Sequence, residues 1–255
     1  MKKFISHSEH IHLEKADSTN DYIKNPAIPK SAWVTADIQT AGRGRLGRQW
    51  ESPEGDSIFF SAKTEFPDYS LSLVPLFIGS ALHSAFTELY PELKNRLSVK
   101  WPNDLYIDRL KCAGILTETL VQAERKELII GIGINLYLEK TDLPYSGILK
   151  IKPSLNEKKN VLSCLIDHIN RSLNTLPEKT EEELRHLESV SFFRGKRLSM
   201  KKDGKTVFPV FKGFSPEGFL VLDLEGKETV ISDSAREIEC NAAPNFFTFL
   251  HFMLN

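Results

Sequence analysis

Leu97-Ser98-Val99-Lys100-Trp101-Pro102-Asn103-Asp104-Leu105-Tyr106-Ile107-Asp108-Arg109-Leu110 is the stretch that decides the fold. Leu97–Trp101 reads as a strand that stops at Pro102-Asn103-Asp104. Leu105–Ile107 and Leu110–Leu120 then read as a hairpin joined through Asp108-Arg109, and Glu127–Leu138 supplies a further strand. Connections this short join antiparallel neighbours, whereas parallel strands need a crossover of a dozen residues or more. The stretch therefore predicts a mixed or antiparallel sheet with helices packed on it, an α+β architecture and not a doubly wound one.

Upstream, Ile11–Glu14, Ala32–Ile38 and Ser57–Ala62 read as strands. Asp17 or Ser18 is placed to cap a short helix running to about Asn25 and stopping before Pro26. Leu73–Tyr90 is an apolar-rich helix with Pro75 in its first turn. Downstream, Val161, Leu162, Leu165, Ile166, Ile169 and Leu173 recur at helical spacing and predict a helix over Lys158–Leu176. A second covers Glu181–Ser189. From Arg197 the pattern changes to short strands with glycine turns: Arg197–Lys201, Val207–Phe214, Phe219–Leu224 and Thr229–Ile231. Such spacing predicts a small β-barrel of about 50 residues. The division is 1–190, 191–240 and an apolar tail over 241–255. The tail is too short to span a bilayer and is expected to pack on the protein's own surface or a second subunit.

With 41% hydrophobic and 26% charged residues, the 255-residue chain can bury a full core. Its net charge of −1 excludes a surface that is polyanion-binding throughout, so any anion site is local. Three cysteines, Cys112, Cys164 and Cys240, without paired spacing argue against a disulfide framework and a zinc site. They point to a reducing cytoplasm. Neither a signal peptide nor an apolar run of about 20 residues is evident.

The dense basic cluster is Gly42-Arg43-Gly44-Arg45-Leu46-Gly47-Arg48-Gln49-Trp50. Glycines let a ligand approach the main chain, and arginines present planar donor forks to carboxylate or phosphate. Taken alone, the loop suits either a small anionic ligand or nucleic acid. Ser18 and Thr19 suit capping or a polar ligand, Trp50 a core position or a stacking ligand, and Asp104 a turn or a proton-handling role. Gly131 and Gly133 inside a strand predict close approach by another group.

Five motifs in fixed order resolve the choice: Asp17-Ser18-Thr19-Asn20, Gly42–Trp50, Lys100-Trp101-Pro102-Asn103-Asp104-Leu105, Lys111-Cys112-Ala113-Gly114-Ile115-Leu116-Thr117-Glu118 and Gly131-Ile132-Gly133-Ile134-Asn135. Over about Asp17–Glu239 the chain resembles the biotin–protein ligases, which attach biotin to carboxylase carrier domains. The resemblance implies a catalytic domain of the class II aminoacyl-tRNA-synthetase-like, biotin–lipoate ligase type, followed by an SH3-like barrel. It implies biotin and MgATP as substrates and biotinyl-5′-AMP as intermediate. The acceptor would be a lysine on the carrier domain of acetyl-CoA carboxylase or a related carboxylase.

By the same resemblance, biotin is held by Ser18, Thr19, Asn20, Gln39, Arg43, Gly44, Arg45, Lys111 and Gly114. The nucleotide is held by Gly42, Arg43, Arg45, Arg48, Trp50, Lys111 and Asn135. Lys111, Arg48 and Asp104 carry the chemistry, and no protein-bound metal is implied. Leu46 stands where many relatives carry a polar or basic residue. Only 16 residues precede Asp17, whereas a DNA-binding module needs roughly 60 residues, so no DNA partner is expected. A cytoplasmic enzyme follows, and a homodimer is left open. The competing enzyme is a lipoate or octanoyl transferase of the same fold; the competing non-enzyme is a nucleic-acid-binding module.

Overall fold

The computed structural model describes residues 4–50, 55–66, 70–122, 125–139, 144–176, 178–202, 204–232 and 238–241. In chain order these form β1 (His10–Ala16), α1 (Thr19–Ile23), β2 (Trp33–Gln39), β3 (Gly55–Glu65), α2 (Leu73–Leu89), β4 (Leu97–Lys100), β5 (Asp104–Ile107), β6 (Leu110–Gln122) and β7 (Arg125–Leu138). There follow α3 (Leu155–Thr175), α4 (Thr180–Ser189), β8 (Arg197–Lys202), β9 (Lys205–Val207), β10 (Val210–Phe214), β11 (Leu220–Leu224), β12 (Lys227–Ile231) and β13 (Ile238–Asn241). The first seven strands make one sheet in the order β1-β2-β3-β7-β6-β5-β4. Among the described strands of this sheet, β1 and β2 pair in parallel through the crossover that carries α1, and the other neighbouring strands pair antiparallel. This is the mixed sheet that the short hairpins predicted.

Strand alternation divides the sheet into two faces. Ile130, Ile132, Ile134 and Leu136 of β7, with Ile58, Phe60 and Ala62 of β3, enter the main core shared with α2 and α3. Ile129, Gly131, Gly133 and Asn135 alternate with them and belong to the opposite face. There Ile129 joins a smaller cluster with Ile23, Ile28, Ala32 and Val34 beside α1. The main core runs on without a break into Leu198, Met200, Leu220, Leu222 and Ile231 of the C-terminal strands. Those strands form two three-stranded sheets, β10-β11-β12 and β13-β8-β9, all antiparallel, as an SH3-like unit requires.

Several boundaries differ from expectation for identifiable reasons. The helix expected to reach Asn25 closes at Ile23, with Lys24 donating its N–H to Asp21 and Tyr22. Trp101 leaves the strand and turns its indole N–H onto the Gly218 carbonyl at 3.0 Å, tying the sheet to the barrel. The expected strand Val207–Phe214 is two strands in two sheets. Pro209 between them has no N–H to give to a ladder. α3 begins at Leu155, earlier than expected, because Ser154 and Glu157 form a reciprocal capping box. β13 had no expectation at all; the apolar tail lies outside the described residues.

Candidate active site

A cavity of about 560 Å³ opens on the α1 face of the sheet. Its deep end is polar and closely bonded. Ser18 caps α1, its Oγ accepting from the Asp21 N–H at 3.4 Å. Thr19 donates to Gln39 Oε1 from both its backbone N–H (2.9 Å) and its hydroxyl (3.0 Å). Ser61 Oγ lies 2.8 Å from Thr19 Oγ1 and 2.6 Å from Asn20 Oδ1. Asn20 Nδ2 donates to Glu118 Oε2 at 2.9 Å. Ser18, Thr19, Asn20 and Ser61 are all buried. A buried network of this kind is stable only when its members are satisfied, and it fixes the direction of each amide and hydroxyl.

The floor is backbone. Gly114 of β6 pairs directly with Gly133 of β7, and Leu116 with Gly131. Trp50 lies on the Gly114–Gly133 pair: a Cβ on Gly133 would stand 2.5 Å from its Cε2, and one on Gly114 would stand 2.7 Å from its Cζ3. Asn20 covers Gly131 in the same way. The two strand glycines that the sequence marked for close approach thus admit one side chain from the Gly/Arg loop and one from α1.

The loop folds back on itself. Gly44 N–H donates to the Arg48 carbonyl at 2.7 Å, and Trp50 N–H to the Gly42 carbonyl at 2.9 Å. Leu46 and Gly47 adopt positive φ at the tip, and Leu46 is exposed. Arg45 Nη1 donates to Asn103 Oδ1 at 3.1 Å, while Asn103 Nδ2 donates to the Ile115 carbonyl at 2.8 Å. The Pro102-Asn103-Asp104 turn is thereby held between the loop and β6. Lys111 Nζ sits 2.8 Å from Asp104 Oδ1 and 5.3 Å from the centroid of the Trp50 ring. The cavity therefore joins a buried donor–acceptor end to a mouth carrying Lys111, Arg45 and Arg48. This geometry suits a ligand with a neutral polar head and an anionic tail.

The Biotin/lipoate A/B protein ligase family model matches residues 13–135. The bifunctional ligase/repressor BirA of Bacillus subtilis is 35% identical over 233 residues, covering 86% of this chain and 70% of its own length. The chain belongs to the biotin–protein ligase family. A biotin–[acetyl-CoA-carboxylase] ligase of Paracoccus denitrificans is 36% identical over 139 residues, covering 49% of this chain and 53% of its own. Among solved structures, the biotin protein ligase of Aquifex aeolicus in complex with biotin and ATP superposes with a TM-score of 0.76. It is 27% identical and covers 91% of this chain and 99% of that one.

Of the residues that the ligase resemblance nominated, Ser18, Thr19, Asn20, Gln39, Arg43, Gly44, Arg45, Arg48, Trp50, Asp104, Lys111 and Gly114 all line the one cavity. Gly42 and Asn135 do not. Gly42 acts through its carbonyl, which anchors Trp50. Asn135 shares the face of Gly131 and Gly133 but is fully buried, 3.5 Å from Ser57 Oγ. Arg43 lines the cavity, yet its Nη2 is engaged by Asp21 Oδ1 at 2.6 Å and by both Glu118 oxygens. Its charge is therefore balanced by the protein's own carboxylates. Sequence reasoning missed Ser61, whose one available signal is a lone hydroxyl between Phe60 and Ala62 in an apolar strand. It also missed Tyr145, Phe193 and Ile238 on the wall, which only the fold brings there. Cys112 lies behind Lys111 with its thiol pushed far up by burial, so it is no nucleophile.

Proposed function

We propose that this chain is an ATP-dependent biotin–protein ligase that works through biotinyl-5′-AMP. The observation that carries the reading is one cavity with a Thr19–Asn20–Gln39–Ser61 network, partly exposed at Gln39, at one end and Lys111, Arg45 and Arg48 at the other. The polar end suits a ureido ring, whose N–H groups need acceptors and whose carbonyl needs donors. The cationic mouth suits a carboxylate next to a triphosphate.

In the first step an oxygen of the biotin carboxylate attacks the α-phosphorus of ATP. The bond from that phosphorus to the bridging oxygen breaks, and pyrophosphate leaves with the electron pair. Lys111, Arg45 and Arg48 offset the repulsion between carboxylate and phosphate and stabilise the charge that builds on the phosphoryl oxygens. In the second step a lysine ε-amine of the carrier domain attacks the acyl carbon. The acyl C–O bond breaks, AMP leaves, and the nitrogen gives up a proton to form the amide. Asp104 is the carboxylate placed to orient that amine and, as a base, to receive its proton. Until the acceptor arrives, the Gly42–Trp50 loop covers the mixed anhydride against water.

Trp50 offers an aromatic surface for adenine, with the glycine floor fixing its height. Mg²⁺ enters with ATP as part of the substrate. Among the described residues, the only carboxylate on the lining is Asp104, already paired with Lys111, which makes a resident ion there a poor fit. We assign the division near Ser191–Lys196 to the boundary between catalytic domain and barrel. A biotin carrier domain of acetyl-CoA carboxylase or a related carboxylase is the partner, and the cytoplasm is the compartment.

Purified protein with MgATP provides the test. Pyrophosphate release that needs biotin establishes the first step. Release with lipoate instead moves the chain to the sister activity, and release with neither in a folded sample overturns the reading.

A further inference from the structure

We propose that Glu118 is a positioning residue that latches the Gly/Arg loop in its closed place and sets the direction of the Asn20 amide. The inference rests on the ligase reading for its consequence but on geometry for its existence. Glu118 lies on β6 with Gly114 and Leu116 on the cavity face, and pairs across the sheet with Ile129. Its carboxylate receives donors from two other parts of the chain. Asn20 Nδ2 reaches Oε2 at 2.9 Å and Lys24 Nζ reaches Oε1 at 3.1 Å, both from the α1 region. Arg43 Nη2 from the loop lies 3.1 Å from Oε1 and 3.0 Å from Oε2, and also 2.6 Å from Asp21 Oδ1. Two cations and two carboxylates form a balanced cluster, with the Glu118 side chain the least exposed of the four.

Such a cluster on a bare surface would contribute little. Here its members differ in mobility. Glu118 is in the middle of a sheet, and Asp21 and Lys24 are on or next to α1, which packs on that sheet. Of the four, Arg43 alone belongs to the loop, so breaking its bonds removes one tie of the loop and leaves the Arg45–Asn103 contact and the Trp50 packing in place. A second consequence falls on the buried end. An amide facing a carboxylate must present its NH₂ group, because a carbonyl oxygen there would be repelled. Glu118 therefore turns Asn20 Nδ2 outward and leaves Oδ1 for the Ser61 hydroxyl. One carboxylate ties the roof of the site to the donor–acceptor order of its floor.

The test uses trypsin on the whole protein without substrates, reading cleavage after Arg45 and Arg48. Glu118→Gln keeps the shape and one acceptor but removes the charge. It is expected to speed cleavage at these two sites about fivefold, the scale of a partly buried ion pair, with the thermal midpoint little changed. Arg43→Met, at a half-exposed side chain that threatens folding less, should do the same. The Arg43–Glu118 contact is the tie to the loop that both substitutions remove, so the double variant should speed cleavage no more than Arg43→Met does, even though Glu118→Gln also weakens the contacts to Lys24 and Asn20. In the enzyme loaded with biotinyl-adenylate, Glu118→Gln should release the intermediate faster by a similar factor, and KM for biotin should rise more than kcat falls. Unchanged cleavage in either single variant, or effects that multiply in the double, would overturn the latch. Cleavage requires no biotin chemistry, so a protein that fails as a ligase would still report on the latch.

Discussion

Gly133→Ala tests whether the glycine floor sets the height of the nucleotide site. Gly133 is not at positive φ, so its backbone accepts alanine without strain. The conflict is with the ring above: the new Cβ would stand 2.5 Å from Trp50 Cε2, 2.8 Å from Cζ2 and 2.9 Å from Nε1. Ordinary carbon contacts lie at about 3.5–4.0 Å, so the indole must rise by about 1 Å. The loop can absorb that movement, which keeps the folding penalty near the low end of the 1–3 kcal/mol typical of overpacking. A base stacked on Trp50 meets a displaced partner. Stacking contributes on the order of 1–3 kcal/mol per base, and loss of about half of it raises KM for ATP about fivefold. Biotin binding, which the proposed function puts at the Thr19–Ser61 end, should change less than twofold. Pyrophosphate-release kinetics with varied ATP, together with calorimetric titration of biotin, separate the two effects. An unchanged KM for ATP would refute the platform argument. Equal losses for both ligands would show that the substitution had damaged the cavity as a whole.

Lys111→Ala should lower the rate of adenylate formation by at least about 100-fold while weakening biotin binding far less, because its charge is needed most when charge builds on the phosphoryl oxygens; single-turnover kinetics beside equilibrium binding would reveal the split, and equal losses would contradict it. Ser61→Ala removes a buried hydroxyl whose single proton lies between two acceptors, Thr19 Oγ1 at 2.8 Å and Asn20 Oδ1 at 2.6 Å. Denaturant unfolding should register a loss of about 1–3 kcal/mol, and biotin affinity should fall with it. His83 is buried against His186, and burial first, then that neighbour, lower its pKa from 6.5 to about 4, with the Leu97 backbone acting in the opposite sense. The unfolded chain binds this proton more readily, so stability is complete above about pH 6.5 and is lost as pH falls toward 4, by about 3 kcal/mol in the limit. His83→Leu should flatten that part of the stability–pH curve; an unaltered slope would assign the acid sensitivity to other groups.

The architecture of the sheet was legible because it rests on local signals. Short connections around Leu97–Leu138 leave few topologies, and apolar alternation in β3 and β7 marks the face covered by α2 and α3. The Gly/Arg loop alone was legible only as an anion site or a nucleic-acid contact, and the order of five motifs that resemble the biotin–protein ligases was needed to choose between them. What escaped is what depends on pairing across distant strands. Ser61 is an unremarkable hydroxyl until register places it beside Gly131. Gly114 and Gly133 are 19 positions apart in the chain, and only the β6–β7 ladder makes them one surface for Trp50. The barrel's divided strand was hidden for the opposite reason. Pro209 broke a run whose composition still read as continuous.

The same limit explains why counting charges in the loop misjudged Arg43. Three arginines in seven residues look like three cations offered to an anionic ligand. The fold returns Asp21 and Glu118 to the first of them, from 22 positions upstream and 75 positions downstream. Arg45 reaches the amide oxygen of Asn103 at 3.1 Å, and Arg48 presents an exposed side chain at the rim of the cavity. The arginines of the loop are therefore not equivalent: Arg43 is tied to the protein's own carboxylates, and Arg48 stands exposed at the rim. If that division is right, neutralising Arg43 should chiefly change how long the intermediate stays, and neutralising Arg48 should chiefly change how fast it forms. A reversed pattern in retention and formation rates would mean that the ion pairs of Arg43 give way when the nucleotide binds.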